Sequence, residues 1–353
     1  MVQMLQIKHF RGFSDLTVEG FQRINLIAGA NNVGKTALLE ALFLLQGATN
    51  PELVWRILNF RGLSNLKYEA EALWGHLFYQ FNLQKEIEIS SRDTRLVERS
   101  LKMALREPQI ITARRHFAKA QNSWSAYSNT FARELALTYC TNHDTYQSRA
   151  YITEDGLQYE RPFASKSQSD GIFLTSRWGT VVIEDTERYS RLEAVGLEGQ
   201  VLEALQIIEH RLKRLTVVLI GGVPVIHGDL GLGRLIPLPL MGEGMGRLLS
   251  LLVAIANVPN GIVLIDEIEN GLHHSVLHLI WKGIAAFARQ FNVQLFATTH
   301  SSECVEAAHD ALTESEPYDF RLFRLQRQGQ TIQAVSHDQE MLAAALEVGL
   351  EVR

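Results

Sequence analysis

The stretch GANNVGKT, residues 29–36, constrains this chain more than any other, because it fits the phosphate-cradling pattern G-x-x-x-x-G-K-[ST]. Such a loop works between a buried strand and a helix. Its glycines let backbone N–H groups wrap a phosphate, its lysine reaches the β and γ phosphates, and its threonine hydroxyl can bind Mg²⁺. The flanks meet that demand. INLIAG (24–29) is a short apolar run suited to a buried strand, and TALLEALFLLQ (36–46) is apolar at most positions, as a helix packed on nearly all sides must be. An ordinary glycine turn would explain the loop but not its flanks.

Two further segments follow in order. In GIVLIDEIENGLHH (261–274) an apolar strand ends in Asp266, placed to hold Mg²⁺ directly or through water, and Glu267, placed to polarise an attacking water. In LFATTHSSE (295–303) a strand ends at His300, which sets a polar side chain at a sheet edge where a γ phosphate can be met. Either segment alone could be a capped strand end. The ordered set of three carries the assignment.

The rest of the chain reads as an α/β core split by an insert. From about 77 to 162, KEIEI, RSLKMALR, FARELALTY and AYITEDGLQYER alternate with period two, predicting an antiparallel β-rich lobe with SSRDT between its first strands. Residues 186–214 switch to helical spacing, with Leu202, Leu205, Ile208 and Leu212 on one stripe, and TVVLIGGVPVIHG predicts a hairpin turning at Gly221 and Gly222. Helices are expected over 244–257, 274–290 and 302–313, strands at GIVLID and VQLFATTH, and RLFRLQRQG as the final strand. With 353 residues, 46% of them hydrophobic, one large domain is expected: 1–50 as the phosphate-loop part, 51–235 as the insert, and 236–353 as the remainder. A net charge of −5 gives no global pull toward nucleic acid. Two cysteines are too few for a disulfide framework and fit a reducing, cytoplasmic setting. No apolar run approaches the roughly 18 residues of a membrane span, so no membrane partner is expected.

HFRGF, GANNVGKT, PLPLMGEGMGRLLSL, LIDEIENGLHHS and FATTHSSECVEAA together resemble the ABC-type ATPase heads of SMC, RecF and OLD proteins, and most of all the small prokaryotic AAA-family, OLD-like ATPases. The resemblance runs from the first strand nearly to the last residue. It implies a P-loop NTPase head with a mixed sheet core, an antiparallel β-rich lobe and a helical insert. It further implies that Gly29, Asn31, Asn32, Gly34, Lys35 and Thr36 bind ATP phosphates and Mg²⁺, that Asp266 holds the metal, and that Glu267 is the base. His300 would be the switch histidine. Gly242 and Gly244 would form a signature at a helix N-terminus that reaches a partner's ATP, so a homodimer is implied. Arg11 is a candidate for approaching the nucleotide.

The chain departs from that pattern in places. Met241 stands where many such heads have a serine, and backbone amides and Arg247 are candidates to replace the lost contact. Gln80 and Gln84 are weak candidates for a glutamine loop. OLD proteins continue into a Toprim nuclease domain, for which the 353 residues leave no room, so any nuclease is expected as a separately encoded effector. Residues 92–119 hold Arg92, Arg95, Arg99, Lys102, Arg106, Arg114, Arg115 and Lys119 against three acids, which suits either a nucleic-acid surface or the wet face of a strand. His274 and His278 have a zinc-chelating spacing but no evident third ligand, which favours a surface pair. The reading is an ATP- and Mg²⁺-dependent switch ATPase acting on an effector in a phage-defence setting. The alternatives are a RecF-like ATPase gripping DNA and a nucleotide-gated module with negligible turnover.

Overall fold

The structure is a computed structural model and describes residues 1–62, 70–107, 133–153, 156–162, 171–176 and 181–349. The chain opens with an antiparallel hairpin, β1 (Val2–Phe10) and β2 (Phe13–Glu19), and then enters β3 (Ile24–Gly29), whose six residues are all buried. Next comes α1 (Lys35–Gln46), buried from Ala37 to its end, which is why its sequence shows no polar face. Helices α2 (Glu52–Phe60) and α3 (Ala70–Trp74) precede the antiparallel run β4 (Ile87–Asp93), β5 (Glu98–Arg106), β6 (Glu134–Thr141), β7 (Thr145–Thr153) and β8 (Gly156–Glu160). After β9 (Gly171–Leu174) come α4 (Val181–Ala194), α5 (Glu198–Gln206), β10 (Arg214–Ile220), β11 (Val223–Asp229) and β12 (Leu235–Pro237). The chain then returns through α6 (Glu243–Ala256), β13 (Ile262–Ile265), α7 (His274–Gln290), β14 (Gln294–Thr298) and α8 (Ser302–Thr313). It finishes with β15 (Phe320–Gln328), β16 (Thr331–His337) and α9 (Gln339–Glu347).

These strands form three sheets among the described residues. A six-stranded sheet has the order β16-β15-β3-β14-β13-β9 and is parallel except for β16. A seven-stranded antiparallel sheet has the order β2-β1-β4-β5-β6-β7-β8, and the third is β10-β11-β12. Alternation along the parallel strands sorts side chains between two cores. Ile24, Leu26, Val263, Ile265, Leu295 and Ala297 join the helical side with α4–α8, whereas Ile27, Leu264 and Phe296 join α1 and the antiparallel sheet. The parallel sheet is therefore covered on both faces, which explains its continuous apolar runs.

Several expectations are met and several shift. The helices at 274–290 and 302–313 and the hairpin at Gly221 and Gly222 (φ 58° and 85°) stand as read. The helical stretch after 186 is two helices, broken at Gly196 with φ 72°, and Ile208 and Leu212 fall beyond the second; the side chains it buries are Val201, Ala204 and Leu205. Ser90 to Arg92 belong to β4, paired with β1 and β5, so the turn begins later than SSRDT suggested. RLFRLQRQG is followed by another strand and helix, because Gly329 (φ 61°) reverses the chain into β16. The anticipated division at 50/51 is crossed by pairing: β1 and β2 join the antiparallel lobe through β4, and β9, inside 51–235, is an edge of the parallel sheet. Among the described residues no helix is long and apolar enough to cross a membrane.

Candidate functional site

The phosphate loop follows β3 at the C-terminal edge of the parallel sheet, the edge where open α/β sheets bind ligands. Gly29 has φ 142°, and a Cβ there would lie 2.5 Å from the Leu325 carbonyl oxygen on β15. Gly34 has φ 98° at the start of α1, and its Cβ would lie 2.7 Å from the ring of Phe13. Neither position accepts another residue without displacement. Asn31 and Asn32 are exposed, Asn32 with a left-handed φ of 61°. Lys35 folds back over the loop and donates from Nζ to the carbonyls of Gly29 (2.6 Å) and Ala30 (3.1 Å). Burial lowers its pKa, against the opposing pull of Asp266, Glu267 and Glu269.

Asp266 ends β13 two strands away and comes directly to α1: Thr36 Oγ1 donates to its carboxylate at 3.0 and 3.1 Å, across 230 residues of sequence. Thr298 Oγ1 on β14 donates to the same carboxylate at 2.7 Å and accepts the main-chain N–H of Glu267 at 2.8 Å. Asp266 is only 9% exposed. Burial pushes its carboxyl pKa up, while the two hydroxyls pull it down. A buried carboxylate flanked by hydroxyls is a hard oxygen donor set, which fits Mg²⁺ held by one protein carboxylate, a hydroxyl, water and substrate phosphates. Glu267 adopts φ 48°, unusual for a residue with a side chain, and Asn270 Nδ2 donates to its Oε2 at 2.5 Å.

His300 lies past the end of β14 with its side chain 51% exposed. The residue before it, Thr299, donates its main-chain N–H to the Ile27 carbonyl of β3 at 3.0 Å, two residues ahead of the phosphate loop. Gly242 (φ 114°) caps α6, and the space a Cβ would take there is open, with no atom within 4 Å. Gly244 abuts the carbonyl of Gly271 in its own chain. Met241 packs on Gly228.

Four candidates fall elsewhere than expected. Arg247 does not face outward from the signature helix. It is 2% exposed and donates inward to the carbonyls of Asp266 (3.2 Å), Glu267 (3.2 Å) and Thr175 (3.4 Å), with burial lowering its pKa to about 10. Its place one turn from Leu251 puts it on the core face. Arg11 points to Glu40 on α1, 2.5 Å away, and Arg61 binds that carboxylate from the other side at 2.7 and 3.1 Å. Gln80 and Gln84 are exposed, with hydrogen bonds only to Tyr79 and Asn82 among those resolved. Sequence reading missed Thr298, Asn270 and Glu40. The last had a signal, being the single charge in the apolar run TALLEALFLLQ, one helical turn past Thr36.

In the basic stretch, Arg99 faces Asp93 (3.5 Å), Lys102 faces Glu88 (3.8 Å) and Glu86 (4.0 Å), and Arg106 faces Glu86 (3.7 Å). Arg114, Arg115 and Lys119 lie outside the described residues. His278 pairs with Glu314 at 3.2 Å, and the His274 ring lies against His273.

The family described as "AAA domain, putative AbiEii toxin, Type IV TA system" matches residues 24–306. Over 361 aligned residues, 94% of either chain, the protein is 24% identical to a Helicobacter pylori protein named ATP/GTP phosphatase. A segment of 44 residues, 12% of each chain, is 46% identical to the DNA replication and repair protein RecF of Idiomarina loihiensis. Among solved structures, an SMC head bound to the C-winged helix domain of ScpA covers 98% of this chain and 99% of its own, with a TM-score of 0.51 at 13% identity. That likeness shows the fold, a P-loop head of the ABC type.

Proposed function

Because the chain belongs to the AAA-domain family described as putative AbiEii toxin, Type IV TA system, and is an ATPase with an ABC-type head, we propose that it is a Mg²⁺-dependent nucleotide switch. It closes as a homodimer around two ATP molecules and passes their state to a separately encoded effector, in an OLD-like defence role. The observation that carries this reading is the direct bond from Thr36 to Asp266, with Glu267 next in the chain.

Each residue has a task. Gly29, Asn31, Asn32 and Gly34 shape the main chain around the phosphates, and Lys35 exchanges the carbonyls of Gly29 and Ala30 for the β and γ phosphates. Thr36 and Asp266 hold Mg²⁺, which when bound offsets charge on the phosphate oxygens. Glu267, held by Asn270, orients and polarises water for in-line attack on the γ phosphate. His300 meets that phosphate from the next strand end. Gly242, whose Cβ side is open, and Gly244, which lies against Gly271, present the N-terminus of α6 to the partner's nucleotide, so that neither subunit alone completes a site.

The test is Glu267→Gln with ATP and Mg²⁺. Phosphate release should stop while light scattering shows a persistent dimer that dissociates when Mg²⁺ is chelated. Normal turnover in this variant would remove Glu267 from the role, and a monomer under those conditions would remove the dimer. A role gripping DNA directly has less support, since Arg99, Lys102 and Arg106 already face carboxylates.

A further inference from the structure

Two residues past Glu267 stands another carboxylate, Glu269, to which the roles above give no task. Its side chain is 10% exposed. A single oxygen, Oε1, holds His300 by two handles: it accepts the main-chain N–H at 2.9 Å and lies 3.0 Å from ring Nδ1. A proton on Nδ1 would face this oxygen, which leaves Nε2 as the ring atom free of it. The anchor itself is fixed, because Leu272 donates its N–H to the Glu269 carbonyl at 2.9 Å and Asn270 donates its own to the Glu267 carbonyl at 3.1 Å. The next residue, Gly271, lies against Glu243 at the start of α6. The histidine just past β14 is thus held by the turn that follows β13, the turn that also carries the proposed base.

We propose that Glu269 is a positioning residue for ATP hydrolysis: by binding both the backbone and the ring of His300, it fixes the imidazole with Nε2 directed to the γ phosphate. The proposal rests on the reading of His300 given above. A clamp that grips main chain and ring together removes both the loop's freedom and the ring's rotation, so its loss disorders the histidine without removing it.

The experiment uses the full chain. Glu269→Ala should lower kcat about tenfold, the worth of a charge-assisted hydrogen bond, with KM for ATP within about twofold. Glu269→Gln, whose amide oxygen can accept both bonds, should stay within about threefold of the wild type. Glu269→Asp keeps the charge but withdraws the oxygen by one methylene; it should match the alanine variant and serves in its place should that variant not fold. The double variant with His300→Ala should be no slower than His300→Ala alone. In ¹⁵N-histidine-labelled protein, the Nδ1–H signal that disappears in His300→Ala should persist in Glu269→Gln and vanish in Glu269→Ala. Wild-type kcat in both Glu269→Ala and Glu269→Asp, losses that multiply with those of His300→Ala, or a retained Nδ1–H signal would each overturn the proposal. If His300→Ala itself turns over normally while the Nδ1–H signal behaves as expected, the γ-phosphate role of His300 fails, and the clamp exists without a catalytic purpose.

Discussion

The C-terminal edge of the parallel sheet and the antiparallel lobe use charge in opposite ways. At the edge, Asp266 is withdrawn from water and Lys35 is half-buried, burial displaces the pKa of each, and they are held by bonds of 2.6 to 3.1 Å. In the lobe, Lys102, Arg106 and Glu88 stand on a wet face at 3.6 to 4.0 Å from their partners. Desolvated charge is costly unless something compensates it, so its presence marks a place where a ligand or a partner group supplies compensation. Solvated charge at these distances contributes little to stability.

The sharpest contrast comes from Lys35→Ala, which should abolish nucleotide binding and with it all turnover above background. Equilibrium binding of a fluorescent ATP analogue checks this; retained micromolar binding would make the edge no different from the lobe. Between the two regimes lies Glu40, where the hairpin of the lobe meets α1. Glu40 is 1% exposed and serves Arg11, 11% exposed, together with Arg61. Glu40→Ala strands a buried guanidinium and should destabilise the fold by about 3 to 5 kcal/mol in chemical denaturation, the cost of breaking one side of a buried pair. A change below about 1 kcal/mol would place this cluster with the surface pairs instead.

A third probe lies beside Arg11. Burial, and next the charge of Arg11, lower the His76 pKa from 6.5 to about 4. The folded state therefore keeps this ring neutral where the unfolded chain protonates it. Its contribution to stability is complete above about pH 6.5 and is lost progressively as the pH falls toward 4. The Tm of the wild type should fall more steeply than that of His76→Asn across that window. Parallel curves would show that the ring is solvated.

How much of this the sequence disclosed follows from where each signal resides. The phosphate loop, Asp266, Glu267 and His300 were legible because each ends a contiguous apolar strand, and strand order is imposed by the parallel sheet. Helix ends were legible at His273 and Ser301, whose side chains cap the next turn. Arg247 misled because proximity to a helix start says nothing about which face a residue takes. The final strand β16 was missed because TIQAVSH mixes polar and apolar residues and buries only Ile332 fully. Glu269 was invisible as a clamp because its partner lies 31 residues on, and only the pairing of β13 with β14 brings the two together.

The smallest expected effect closes the comparison from the lobe side. Lys102 lies opposite Glu88 in the β4–β5 register, and Lys8 approaches the same carboxylate from β1 at 3.6 Å. Removing Lys102 leaves Glu88 one lysine neighbour and free access to water, since both side chains are at least a third exposed. Lys102→Ala should therefore change stability by no more than about 0.5 kcal/mol, and less again at high salt, where a Debye length of a few ångströms screens the pair. It should leave ATP turnover untouched, because Lys102 faces Glu86 and Glu88 while Asp266 is held by Thr36 and Thr298. A loss of ATPase activity in this variant, with the fold intact, would mean that the lobe's surface charges act on the nucleotide site.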